Sequence, residues 1–203
     1  MDIPIHQAIA ILSKIKQLGC TEVVLCPGGR NAPFVEVLSK LKTFNTTTLF
    51  EERSAGFYAC GLIKKNNQPV AVITTSGTAV AELLPSVIEA YHQGLPLILI
   101  TADRPKIFRG SGAPQAIEQA NILSGFCQKS FDLEDDLSSL KNFTNLKSKP
   151  LHINICFDEP LLAGKKESYD QAIMERPQVP FAREEEIAFD IPVVSKPLVI
   201  LGA

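Results

Sequence analysis

The sequence predicts an α/β domain built as a doubly wound, mainly parallel six-stranded sheet with helices on both faces. Three observations predict it. Short β-rich runs alternate with stretches of helical periodicity over the first 157 residues. Several runs, such as VAVIT at 70–74 and LHINICF at 151–157, are almost continuously apolar, as strands covered on both faces are. The connections are short except for residues 102–117, and a long loop in a compact domain is more often functional than not.

Each element has its own warrant. Ile5, Ala8, Ile9, Leu12, Ile15 and Leu18 recur at helical spacing, and Gly19 supplies the stop. EVVLC at 22–26 is a strand, 34–41 a helix and 46–50 a strand. Residues 52–65 are helical in pattern, with Ala55, Gly56, Ala59 and Gly61 allowing close packing. A strand at 70–74 leads to a helix over 78–93, where Pro85 predicts a kink or an early first turn. Residues 97–101 form the fourth strand. A helix at 115–123, an extended segment at 128–133, a helix at 136–146 and a strand at 151–157 complete the set.

Composition narrows the function classes. The 203 residues carry 20 basic and 22 acidic side chains, a net charge of −2, with 45% apolar and 21% charged residues. This is the balance of an ordinary globular protein, and it argues against general electrostatic binding to nucleic acid or an anionic membrane. The longest apolar runs fall well short of the ~18 residues a membrane span needs. The first ten residues lack the basic and cleavable apolar regions of a signal peptide. Five cysteines, odd in number and without a CxxC, read as reduced thiols of a cytoplasmic protein.

Residues 160–197 differ in kind. They hold five of the fourteen prolines, two charge runs and few apolar positions, the composition of a linker. LVILGA at 198–203 then has the pattern of a buried strand without neighbours. The expected organisation is one domain over 1–158, a linker over 159–197, and at 198–203 the first strand of a further, truncated domain.

Ligands of open α/β sheets bind beyond the carboxyl ends of the strands. After the first four strands come Pro27-Gly28-Gly29-Arg30-Asn31, Glu51-Glu52-Arg53, Thr75-Ser76-Gly77-Thr78 and Asp103-Arg104-Pro105. Each cluster admits a plain structural reading. These are a tight turn, a helix start favoured by its dipole, a helix cap and a surface ion pair. Parallel strands nevertheless place all four on one rim, where Arg30, beside the glycine turn, offers bidentate contacts to carboxylate or phosphate. GxGxxG, GxxxxGK[ST] and GxSxG are missing. His6, His92 and His152 lie far from each other and from any ligand set, so no metal site is expected within the chain. Cys26, at the end of the first strand, reads as a small buried hydrophobe rather than a nucleophile.

The series CPGGRNAPF, FEERSAGFYACGLIKK, PVAVITTSGTAVAELLPSVIEA, PLILITADRP and GSGAPQAIEQ resembles the N-terminal pyrimidine-binding domain of thiamine-diphosphate enzymes. Among these it is most similar to the 2-succinyl-5-enolpyruvyl-6-hydroxy-3-cyclohexene-1-carboxylate synthases of menaquinone biosynthesis, over about residues 5–157. The resemblance implies roles. Glu52 matches the glutamate that bonds N1′ of the aminopyrimidine ring and exchanges a proton with it. Thr75, Ser76, Gly77 and Thr78 match the loop bordering that ring. Gly29, Arg30, Asn31, Arg104 and Gln115 match the substrate-binding edge. The implied reaction is decarboxylation of 2-oxoglutarate and addition of the resulting carbanion to isochorismate. The implied partner is the diphosphate-binding domain of another subunit, in a homodimer or homotetramer.

Two substitutions depart from the family pattern. Gly29 stands where PGSR has serine, and Pro114 where GANQA has asparagine. The Mg²⁺–diphosphate motif GDG…N is also missing, so Mg²⁺ is expected on a C-terminal domain and the 203 residues are expected to be inactive alone. A non-catalytic binding module of the same fold, and a thiamine-diphosphate decarboxylase or carboligase using another 2-oxo acid, remain as alternatives.

Overall fold

A computed structural model describes residues 3–162. The linker and terminal strand expected beyond 162 lie outside the described residues.

Six strands form one sheet in the order β2-β1-β3-β4-β6-β5. They are β1 Glu22–Leu25, β2 Asn45–Thr48, β3 Val70–Thr74, β4 Leu97–Asp103, β5 Lys129–Leu133 and β6 Leu151–Cys156. Every pairing is parallel, which sharpens the expected "mainly parallel" sheet. The helices are α1 Ile3–Gln17, α2 Ala32–Lys40, α3 Glu52–Asn66, α4 Thr78–Glu82, α5 Leu84–His92 and α6 Ser138–Lys141.

Strand alternation explains why the strands read as continuously apolar. Val23, Leu25, Ala71, Ile73, Ile98, Ile100, Ile153 and Ile155 share one core with α1 and α2. Val24, Val70, Val72, Leu97 and Leu99 share the other with α3, α4 and α5. Both faces at the sheet centre are therefore mostly apolar, with Thr101, His152 and Asn154 on β4 and β6 as buried polar exceptions. The edge strands β2, NTTT, and β5, KSFDL, carry exposed polar residues. Helix α1 ends as expected. Gly19 takes φ 89°, and the Cys20 amide returns to the Ile15 carbonyl.

Three expected helices change. The run 78–93 divides at Leu83, and Pro85 falls in the first turn of α5, where a missing N–H is harmless. The helix expected at 115–123 is not formed. Gln115 adopts a left-handed φ of 58°, residues 114–123 turn irregularly, and a single 3₁₀ turn follows at Ser124–Phe126. The amide side chains of Gln115 and Gln119 bond instead to the loop after β3 and to strands β4 and β6. The irregular stretch therefore reaches well past the expected 102–117. The helix expected at 136–146 shrinks to α6, whose first amide, at Ser138, donates to Asp136. Asn142, Thr144 and Asn145 are weak helix formers, and the Gln128 side chain holds the backbone at Asn145 and Lys147.

Candidate functional site

The parallel register brings the carboxyl ends of β2, β1, β3 and β4 to one rim, with β3 between β1 and β4. Four consecutive residues after β3's centre each meet a different part of that rim. Thr74 Oγ1 donates to Glu52 Oε1 at 3.5 Å. Thr75 Oγ1 accepts the Arg30 amide at 3.3 Å. Ser76 Oγ donates to the Gln115 carbonyl at 3.0 Å, and Gln115 Nε2 returns to the Ser76 carbonyl at 2.9 Å. The Gly77 amide donates to Gln119 Oε1 at 2.9 Å. Thr75 and Ser76 are buried, and Gly77 takes φ 82°. A Cβ on Gly77 would lie 2.8 Å from Gln115 Cγ, so this position requires glycine for both space and conformation.

The turn after β1 is closed by Asn31, whose Oδ1 accepts the Gly28 amide and whose Nδ2 donates to the Cys26 carbonyl, both at 2.8 Å. Both ends of the fully buried Asn31 amide are thus committed to the turn. Gly28 packs directly on Thr75, and an added Cβ would come within 2.6 Å of it. Gly29 instead faces open space. Arg30, 8% exposed, runs across to the end of β6. It donates there to the Phe157 carbonyl at 3.2 Å and to Glu159 at 3.3 Å.

The two glutamates after β2 separate cleanly. Glu51 is the N-cap of α3, its carboxylate accepting the Arg53 and Ser54 amides and the Ser54 hydroxyl. The Ser54 hydroxyl, with these amides, holds its carboxyl below the usual carboxylate range. Glu52 is half-buried and turns to the end of β3. Burial, with Glu52 and Glu51 nearby, pushes the Cys26 thiol up to about 12. Cys26 is therefore a neutral thiol, in line with the reading of it as a hydrophobe.

Arg104 donates from Nε to the Pro114 carbonyl at 3.1 Å, which ties the long loop to the end of β4. Asp103 and His152 join a polar network whose other members, Asn154, Asp132, Arg109 and Thr101, the sequence did not single out. Asn154 Nδ2 donates to Asp103 Oδ2 at 3.2 Å and Asp132 Oδ1 at 2.9 Å, and Arg109 bridges the same two carboxylates. Asp132 lies on the exposed side of β5, and what burial its carboxylate has would by itself raise its pKa. The hydrogen bonds from Arg109 and Asn154 outweigh that and bring it to about 2. Thr101 donates to Asn154 Oδ1 and meets His152 Nε2, each at 2.8 Å. A usable signal existed in LHINICF. His152 and Asn154, two apart in an apolar strand, share a face by strand periodicity.

The donor set at the end of β3 fits an aminopyrimidine ring. It offers one carboxylate held by a single hydroxyl, beside a loop whose side chains and glycine are fixed by neighbours rather than left mobile. Among the described residues, no group of three His, Cys, Asp or Glu could hold a metal ion. No helix of the described residues is long and apolar enough to cross a membrane.

Residues 6–122 match the model of the thiamine pyrophosphate enzyme N-terminal domain, described as a TPP-binding domain. The chain belongs to this family. Within it, the chain is 43% identical over 201 residues to the 2-succinyl-5-enolpyruvyl-6-hydroxy-3-cyclohexene-1-carboxylate synthase of Bdellovibrio bacteriovorus, covering 96% of this chain and 38% of that protein. It is 44% identical to the synthase of the same name from Akkermansia muciniphila (88% and 34% covered) and 39% to that of a Synechococcus species (85% and 33%). The chain thus spans about a third of the length of the curated relatives it matches.

Proposed function

We propose that this chain is the pyrimidine-binding part of a thiamine-diphosphate synthase that joins 2-oxoglutarate to isochorismate in menaquinone biosynthesis. The single observation that carries the reading is the division of labour between two adjacent glutamates: Glu51 is consumed as a helix cap, while Glu52 turns its carboxylate to the head of the Thr75–Ser76–Gly77–Thr78 loop. When bound, thiamine diphosphate supplies a carbon nucleophile and an electron sink for decarboxylation of a 2-oxo acid. Glu52 holds the proton at N1′ of the ring, and residues 75–78 border the ring. Arg30 and Arg104 bind the carboxylates of substrates that are both polyanions. Gly29 leaves open space beside Arg30, Asn31 fixes the turn that carries it, and Gln115 edges the site.

On this reading residues 159–197 link the domain to a further one that begins at 198–203. Mg²⁺ and the diphosphate are held by a C-terminal domain of another subunit in a homodimer or homotetramer. The protein works in the cytoplasm, which suits its five free cysteines. The test is product formation by the full-length protein from 2-oxoglutarate and isochorismate with thiamine diphosphate and Mg²⁺. Consumption of pyruvate without any use of isochorismate would assign it to another carboligase. No turnover of any 2-oxo acid would make it a binding module.

A further inference from the structure

Gln119 is 1% exposed and spends its whole amide on three elements. Its Oε1 accepts the Gly77 amide at 2.9 Å, and its Nε2 donates to the Ala102 carbonyl at 3.0 Å and to Asn154 Oδ1 at 2.8 Å. The orientation of the amide is unambiguous, because the Gly77 N–H can only donate and the Ala102 carbonyl can only accept. From Asn154 the connection continues through Asp103, whose Oδ1 accepts the Arg104 amide at 2.8 Å. One continuous hydrogen-bonded path therefore joins the loop after β3 to the arginine after β4.

We propose that Gln119 is a positioning residue that fixes Gly77 against the end of β4, and so sets the spacing between the ring-bordering loop and Arg104. Geometry supports this over simple space filling. Gly77 sits at positive φ with Gln115 packed where a Cβ would be, so the position takes only glycine, the residue whose own backbone holds this conformation least firmly. Its amide, the N-cap position of α4, finds support only from the Gln119 side chain among the described residues. The proposal rests on the reading of residues 75–78 as the cofactor loop, but its first consequence, protection of the Gly77 amide, does not.

Two substitutions in the full-length protein separate a clamp from a filler. Gln119→Met keeps the volume and removes both hydrogen-bonding ends. Gln119→Glu keeps an acceptor for Gly77, loses the donor, and brings a charge into a buried place. Amide exchange at Gly77, referred to the amides of β3, should rise about tenfold in Gln119→Met and much less in Gln119→Glu. Thiamine diphosphate affinity, titrated by protein fluorescence with Mg²⁺, should follow the same order. A residue that only fills the core gives the opposite order, with Met better than Glu, and that result overturns the proposal. Loose Gly77 in Gln119→Met with native cofactor affinity would overturn its link to the site. Should Gln119→Met not fold, native Gly77 protection and near-native affinity in Gln119→Glu support the clamp, and loss of both overturns it. Failure of the unsubstituted protein to bind thiamine diphosphate would instead overturn the cofactor reading, and would leave the exchange result to decide the clamp alone.

Discussion

Arg30 reaches Glu159 across the rim at 3.3 Å, and the two partners differ sharply in exposure, 8% against 70%. The ion pair is therefore worth little in itself, since the carboxylate stays in water. Arg30's firmer anchor is the Phe157 carbonyl, which its Nη1 meets at 3.2 Å. Glu159→Gln should cost less than ~1 kcal/mol in urea unfolding. Arg30→Met, which strips the partner from a buried carbonyl, should cost about 1–3 kcal/mol. Equal losses would show that the exposed pair holds the guanidinium.

The two glutamates after β2 give opposite phenotypes. Glu51→Ala removes the acceptor of the Arg53 and Ser54 amides and should destabilise α3, lowering the unfolding midpoint while leaving turnover of the same order. Glu52→Gln should leave the unfolding midpoint in place and lower turnover of the full-length protein by at least ~100-fold. Parallel denaturation and rate measurements on the two variants check the assignment. Near-normal turnover in Glu52→Gln would reject it.

Adjacent glycines in the first turn differ just as much. A Cβ on Gly28 lies 2.6 Å from Thr75 Cβ, whereas one on Gly29 meets nothing within 4 Å. Gly28→Ala should cost about 1–3 kcal/mol as the β1 and β3 loops are forced apart. Gly29→Ser should stay within ~0.5 kcal/mol, because the added side chain enters open space without rearrangement. Thermal unfolding of both variants decides this.

The rim was legible because a buried parallel sheet writes apolar strands, and polar clusters then stand out at their ends. What a run of residues does at such an end was less legible. Glu51 and Glu52 are equivalent to any pattern of composition or charge. The family resemblance singles out Glu52, and the structure adds that Glu51 caps α3 while Glu52 turns to Thr74. The stretch 115–123 has apolar residues at helical spacing, Ala116, Ala120 and Leu123, and Ala120 and Leu123 are indeed buried. Their spacing is met without a helix because Gln115 and Gln119 find long-range partners that no local rule contains. Asn31 was similarly opaque, since a turn-closing asparagine and a ligand-binding one look alike in sequence.

His152 carries the last prediction. It lies in β6, buried, facing Thr101 on β4, with Ser130 beside it in register on β5 and Asp132 farther along that strand. Its Nδ1 has no hydrogen-bond partner among the described residues. Burial lowers its pKa to about 4, and the nearby Asp132 carboxylate only partly opposes this. The unfolded chain protonates this histidine below pH ~6.5, while the folded protein keeps it neutral down to about 4. The unfolded state therefore binds the extra proton in that window, and stability falls as pH drops through it, by ~3 kcal/mol in the limit. Asp132, held near 2 by Arg109 and Asn154, adds a second loss below pH ~3.8 of the same sign. Urea unfolding at pH 7, 5 and 4 should show the first loss in the native protein and its absence in His152→Gln, which removes the titration and keeps a polar end for Thr101. A parallel decline in both proteins would mean that His152 is not the group that takes up the proton.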